Sequence, residues 1–136
     1  MYFPYLRGRQ FELIGIRELL DNDILTDKVI PVIEPITISS TLISTLELFI
    51  KKNRKIALIF NPEVGSFQNE LNKVAETGNE TYKRLSLILN NRLVLKTLLL
   101  NQQCVNILEN WKNENIFDRD VIFIYNENED ILEIDK

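Results

Sequence analysis

The 136-residue chain has no histidine, one cysteine, one tryptophan, four glycines and four prolines. Each shortage excludes something. Without histidine, Ser-His and Cys-His arrangements lose their base, and most zinc and non-haem iron sites lose their commonest ligand. Any catalysis would fall to carboxylates, lysine, tyrosine or the single thiol. Cys104 has no partner for an internal disulfide, which fits a reduced, cytoplasmic setting. It stands at the start of a helix-like stretch, "NQQCVNIL", where thiols can be acidified. A small buried core residue is the simpler expectation. Strictly apolar runs reach only about five residues, far short of the ~20 that a membrane-spanning helix needs. The opening "MYFPYLRGRQFE" also lacks the basic-then-apolar pattern of a secretory signal. Neither a membrane nor a cofactor is expected.

Positive charge is scarce as well: 16 Lys and Arg stand against 20 Asp and Glu, for a net charge of −4. The acid gathers in the C-terminal "NENEDILEIDK", so a phosphate backbone would meet a mildly repulsive field and general nucleic-acid binding is not expected. The densest basic group is Arg7, Arg9 and Arg17, for which a solvated surface is the default. With 45% hydrophobic and 26% charged residues, the chain has the composition of an ordinary folded domain. At this length a sizeable core can form without staples. One domain is expected over residues 1–126, followed by an acidic tail, 127–136. That tail alternates Ile131, Leu132 and Ile134 with acids. It could add a short strand to a partner or to its own sheet, or stay disordered.

The stretch "KIALIFNPEVG", residues 55–65, sets the pattern for the rest. Ile56 to Phe60 carry no polar interruption, as in a strand buried on both faces; a half-exposed strand would alternate. Such burial predicts a parallel sheet with helices above and below. The same shape recurs in "YFPYLRG", "VIPVIEP", "LVLKTLLLNQ" and "VIFIYNEN". The last apolar residues of the five runs are Leu6, Ile33, Phe60, Leu100 and Tyr125, separated by 27, 27, 40 and 25 residues. A strand, a helix and two short loops fill about that length.

Helical stripes lie between the runs. Leu13, Ile16 and Leu20 share one face over 9–21, and Leu42, Leu46, Phe49 and Ile50 share one over 40–52, after a Ser39-Ser40 start suited to capping. The 40-residue interval holds one long helical region or two, with a break at Thr77-Gly78-Asn79. Tyr82, Leu85, Ile88 and Leu89 face inward beyond it. A last helix near 103–113 is expected to bury Val105, Ile107, Leu108 and Trp111, and residues 115–120 read as a polar loop. The fold class is α/β: consecutive βα units with about five parallel strands, arranged as a half-TIM-barrel or an open doubly wound sheet. A full barrel needs eight units and about 250 residues. Exposed edge strands then favour a homo-oligomer or a protein partner.

"MYFPYLRGRQFELIGIREL", "VIPVIEPI" and "ALIFNPEVG" resemble the opening of a bacterial and phage-associated family related to the so-called beta proteins. Its members begin with a Tyr-x-Pro-x-Leu-Arg/Lys-Gly block and a Pro-x-Ile-Glu-Pro strand. The resemblance covers about the first 65 residues; beyond them only the strand rhythm agrees. It implies a TIM-barrel-like fold in chains that run on past this length, and a phage or mobile-element context. It brings no activity and no catalytic residues.

In parallel α/β architectures, ligands bind beyond the carboxyl ends of the strands. The residues collected there would be Arg7, Arg9, Glu34, Asn61, Glu63, Asn101, Gln102, Asn126 and Glu127. Pro62 and Pro35 enforce the strand ends, since proline cannot donate to a ladder and holds the preceding residue extended. Arginine can grip a carboxylate or phosphate in two parallel bonds, Gly8 allows close backbone approach, and Glu34 in an apolar frame could act as acid or base. With a metal, Glu34 and Glu63 could supply hard oxygen ligands. The plainer account is that Arg7 and Glu34 form a structural ion pair fixing register. With 15 Asn in the chain, an Asn after a strand carries little weight by itself. No phosphate loop, nucleophile elbow or metal-ligand spacing is present. The expected function is a protein-interaction or assembly subunit. The alternative is an enzyme or binder of an anionic small molecule working through Arg7, Arg9, Glu34, Asn61, Asn101 and Asn126.

Overall fold

Each apolar run is a strand, and each amphipathic interval is one helix or two. The computed structural model describes residues 1–63, 65–113 and 121–124. Its elements are β1 (Tyr5–Arg7), α1 (Gln10–Asp21), β2 (Val32–Glu34), α2 (Ser40–Lys51), β3 (Ile56–Ile59), α3 (Phe67–Thr77), α4 (Glu80–Leu89), β4 (Val94–Leu99), α5 (Gln102–Asn113) and β5 (Ile122–Ile124). The five strands form one parallel sheet in the order β1-β2-β3-β4-β5. The chain is therefore an α/β protein of consecutive βα units.

Local chemistry sets the element boundaries. Ser39 starts α2 by accepting the Leu42 amide on its Oγ at 3.1 Å. Gly78, left-handed at φ 60, ends α3. One residue later Asn79 caps α4, its Oδ1 accepting the Tyr82 amide at 3.0 Å. The long interval thus holds two helices, parted at Thr77-Gly78-Asn79.

Strand side chains alternate between two faces. One face carries Leu6, Ile33, Ile56, Leu58 and Val94, packed with Leu13, Ile16 and Leu20 of α1, Leu42, Leu46 and Phe49 of α2, Phe67 of α3, and Leu85 and Ile88 of α4. By the same alternation Leu98 and Phe123 lie on that face, packed with Cys104, Ile107 and Leu108 of α5. The opposite face gathers Ile30, Val32, Ala57, Ile59 and Leu99 with Leu95, Ile122 and Ile124, and no helix residue joins them.

Two expectations are corrected by this arrangement. Helices do not lie above and below the sheet: the five described helices pack on one face. Nor is the sheet doubly wound, since that topology needs a reversal of strand order and helices on both sides. When each strand pairs with the next in sequence, every crossover has the same hand and delivers its helix to the same side. Among the described residues the sheet is open, with β1 and β5 at its edges. Val32, Ala57 and Ile59 on the helix-free face are still buried, packed on one another and on their strand neighbours.

Smaller differences concern α5. Val105 is exposed, and Cys104 takes the inward position, so the buried stripe is Cys104, Ile107 and Leu108, spaced i, i+3, i+4. The Trp111 side chain, the loop 115–120 and the tail 127–136 lie outside the described residues.

Candidate functional site

Arg7 and Glu34 are register partners on β1 and β2, with side chains on the helix-free face. Their charges stand 3.6 Å apart, the Glu34 side chain only 5% exposed and that of Arg7 44%. The carboxylate also receives the Glu63 amide at 3.4 Å. The Tyr5 hydroxyl is directed at it too. Burial, then the charge and hydrogen bonding of Glu34, hold the Tyr5 phenol well above its usual range against the opposing Arg7, so it stays a neutral donor. The structural ion pair anticipated from the sequence is thus present. Gly8 serves that junction: its amide donates to the Glu34 carbonyl at 2.7 Å, and a Cβ there would meet the Pro35 Cα at 3.0 Å.

The asymmetry in exposure makes a prediction. Arg7→Ala strands a buried carboxylate and is expected to cost about 2–4 kcal/mol. Glu34→Gln leaves Arg7 able to rehydrate and should cost roughly 1 kcal/mol. Urea unfolding of both variants checks the order; equal costs would mean that the carboxylate does not depend on Arg7.

Asn61 and Asn101 form the second grouping. Asn61 is completely buried just beyond β3, and its side chain imitates a strand. Its Nδ2 donates to the Leu99 carbonyl at 2.9 Å and its Oδ1 accepts the Leu99 amide at 2.8 Å, which prolongs the β3–β4 pairing. Nδ2 also donates to Asn101 Oδ1 at 3.2 Å, and that oxygen accepts the Cys104 amide at the head of α5. An amide follows the apolar run because it can donate and accept at once, where a further residue of strand would have done so. Arg9 is exposed and precedes α1 without a capping bond from its side chain. Asn126 and Glu127 lie outside the described residues.

The thiol of Cys104 is fully buried, and burial pushes its pKa up, so it packs as a small apolar residue. Among the described residues, no three His, Cys, Asp or Glu side chains converge on a point that could hold a metal. No described helix is long and apolar enough to cross a membrane.

No family model, curated protein or solved structure matches this chain. What the molecule offers must therefore be read from its own geometry.

Sequence reasoning missed two features. One is Glu70, in the first turn of α3. It accepts from Thr37 Oγ1 at 2.6 Å, the Ile38 amide at 2.6 Å and Ser66 Oγ at 2.9 Å, tying the loop after β2 to the head of α3. Partial burial raises its pKa, but the three hydrogen bonds, with Lys73 nearby, outweigh it and leave the carboxyl below its usual value. A depressed folded pKa stabilises above the unfolded value near 4.3, and that contribution is lost as pH falls through the folded pKa. Glu70→Gln should therefore cost about 1–2 kcal/mol at pH 7, with the gap to the parent chain narrowing below about pH 4. Chemical denaturation at pH 7 and pH 3.5 reads this directly. A gap that widened in acid would contradict it. The sequence signal was an acid in a first helical turn, where it favours the helix dipole.

The second is the free edge of β1. Tyr2 donates to the Lys28 carbonyl and accepts the Ile30 amide, Pro4 accepts the Val32 amide, and Gly8 donates to Glu34, all at 2.7 or 2.8 Å. The even-numbered residues therefore face β2. Successive peptide groups alternate, so the amides and carbonyls of Phe3, Tyr5 and Arg7 point outward, away from the sheet. Pro4 lacks an N–H on the paired side only and leaves the outer edge unguarded. Met1, Tyr2, Phe3 and Tyr5 are all exposed there, Phe3 at 45% and Tyr5 at 46%.

Proposed function

We propose that this protein is an assembly subunit that engages a protein partner by strand addition at the edge of β1. The single observation behind this reading is the row of outward amides and carbonyls at Phe3, Tyr5 and Arg7, flanked by exposed aromatic rings. Unpaired amides and carbonyls at a sheet edge are a template for pairing with another chain. Here the edge carries two aromatic side chains and one arginine, residue types that anchor interfaces. Strand addition supplies main-chain affinity, and the alternate side chains supply selectivity. A phage or mobile-element setting in the cytoplasm is supported by the resemblance of the first 65 residues to the beta-protein-related family.

The competing reading, an anionic small molecule held by Arg7, Arg9, Glu34, Asn61 and Asn101, has its strongest groups already engaged. Arg7 is paired with Glu34, and both amides bond within the sheet. A photo-crosslinking residue placed at Phe3 in cells making the protein should give a discrete crosslinked species of identifiable sequence. The same residue at exposed Leu87 on α4 should give none. Equal crosslinking from both positions, or none from Phe3, would defeat the proposal.

A further inference from the structure

We infer that the partner at this edge is a second copy of the chain, joined by antiparallel pairing of β1 with β1 about a twofold axis at Tyr5. The inference rests on the strand-addition reading and adds the identity of the partner and the register. Phe3, Tyr5 and Arg7 are spaced symmetrically about Tyr5 and share one orientation. With Tyr5 opposite its own copy, Phe3 falls opposite the copy's Arg7 and Arg7 opposite the copy's Phe3.

All three positions then become hydrogen-bonded pairs, each exchanging an amide for a carbonyl, with Cα atoms about 5.5 Å apart. No outward group of these residues is left over. The side chains are also self-complementary. Residues directly opposite in an antiparallel pair project from the same face, so each guanidinium lies beside a phenylalanine ring, a favourable cation–aromatic contact, and the two Tyr5 rings adjoin at the centre. An axis placed at Arg7 rather than Tyr5 would set Arg7 beside the copy's Arg7. Arg7 stays partly exposed at 3.6 Å from Glu34, so its guanidinium still presents charge to the opposite position. The axis runs perpendicular to the sheet, so the helix layers of both copies stay on one side. The two sheets become continuous, and their free edges move to β5.

Sedimentation equilibrium of the full chain, with two substitutions at Phe3, tests the inference. The parent chain should sediment at twice its chain mass and dissociate on dilution. Phe3→Lys sets like charges opposite each other at two symmetric places and should weaken the dimer by about tenfold or more. Phe3→Glu sets opposite charges there and should leave the dissociation constant within about threefold of the parent value. Phe3 is half exposed and outside the packed clusters, so both variants should keep the parent circular dichroism and unfolding midpoint.

Equal weakening by lysine and glutamate would overturn this register, as would a parent chain that forms a trimer or larger ring. A monomeric parent that still crosslinks through Phe3 to a different protein would overturn the second-copy inference and leave the strand-addition reading standing. A monomer with no crosslink at Phe3 removes both.

Discussion

Asn61→Leu is expected to lower the stability of the chain by about 2–5 kcal/mol, seen as a reduced urea midpoint with an unchanged m-value. Leucine conserves the volume but abandons the amide and the carbonyl of Leu99, both deep in the sheet, and it releases Asn101 from one partner. Each orphaned buried group costs roughly 1–3 kcal/mol. Asn61→Asp separates the donor from the acceptor. A protonated aspartic acid can still donate to the Leu99 carbonyl and accept the amide, whereas the carboxylate faces that carbonyl and the Asn101 oxygen. Its folded pKa would therefore rise above the unfolded value near 3.9. A raised acid contributes most below the unfolded pKa and loses that contribution as pH climbs. The Asp variant should approach the parent chain near pH 4 and fall behind by about 2–4 kcal/mol at pH 7. If Asn61→Leu costs under about 1 kcal/mol, the side chain is not holding β3 to β4.

Gly65→Ala is the second large effect, at about 3 kcal/mol or more. The residue sits at φ 95, a region that only glycine enters readily, and a Cβ there would stand 2.3 Å from the Ile36 carbonyl oxygen and 2.9 Å from the Ile36 Cα. The obstacle is backbone, so rotamer adjustment gives no relief. The crowding exists because Ser66 donates its amide to that same carbonyl at 2.8 Å, closing the loop after β3 onto the loop after β2. Gly15→Ala is the internal contrast. It lies in α1 with nothing within 4 Å of a new Cβ, so it should gain about 0.5–1 kcal/mol from helix propensity. Thermal and urea unfolding of the pair should move in opposite directions, and a destabilised Gly15→Ala would mean that α1 packs on something along its outer side.

Asn61 belongs to the strand-end rim that the sequence marks out, yet its role is not that of a ligand group. Asn61 was named as a possible ligand group and is an extension of the sheet; Asn101 supports it and caps α5. Arg7 and Glu34 were weighed as a register pair, and they are one. Glu70 and the Phe3–Tyr5–Arg7 edge went unremarked for a common reason. Each gains its meaning from the tertiary arrangement: Glu70 from Thr37 and Ile38 across more than thirty residues, and the β1 edge from having no described strand on its outer side.

The elements themselves are legible in the chain. Short apolar runs ended by Asn, Glu-Pro or Arg-Gly, and stripes of helical period between them, are local signals, and they point to five parallel strands joined by helices. Pairing of the strands in chain order, and the gathering of every described helix on one face, emerge from the packed molecule. It alone showed that β1 ends the sheet with its odd-numbered amides turned outward. A strand buried on both faces reads the same whether helices or neighbouring strand side chains cover it. The direction of an edge amide depends on which residue of the next strand it meets, and no stretch of sequence carries that relation alone.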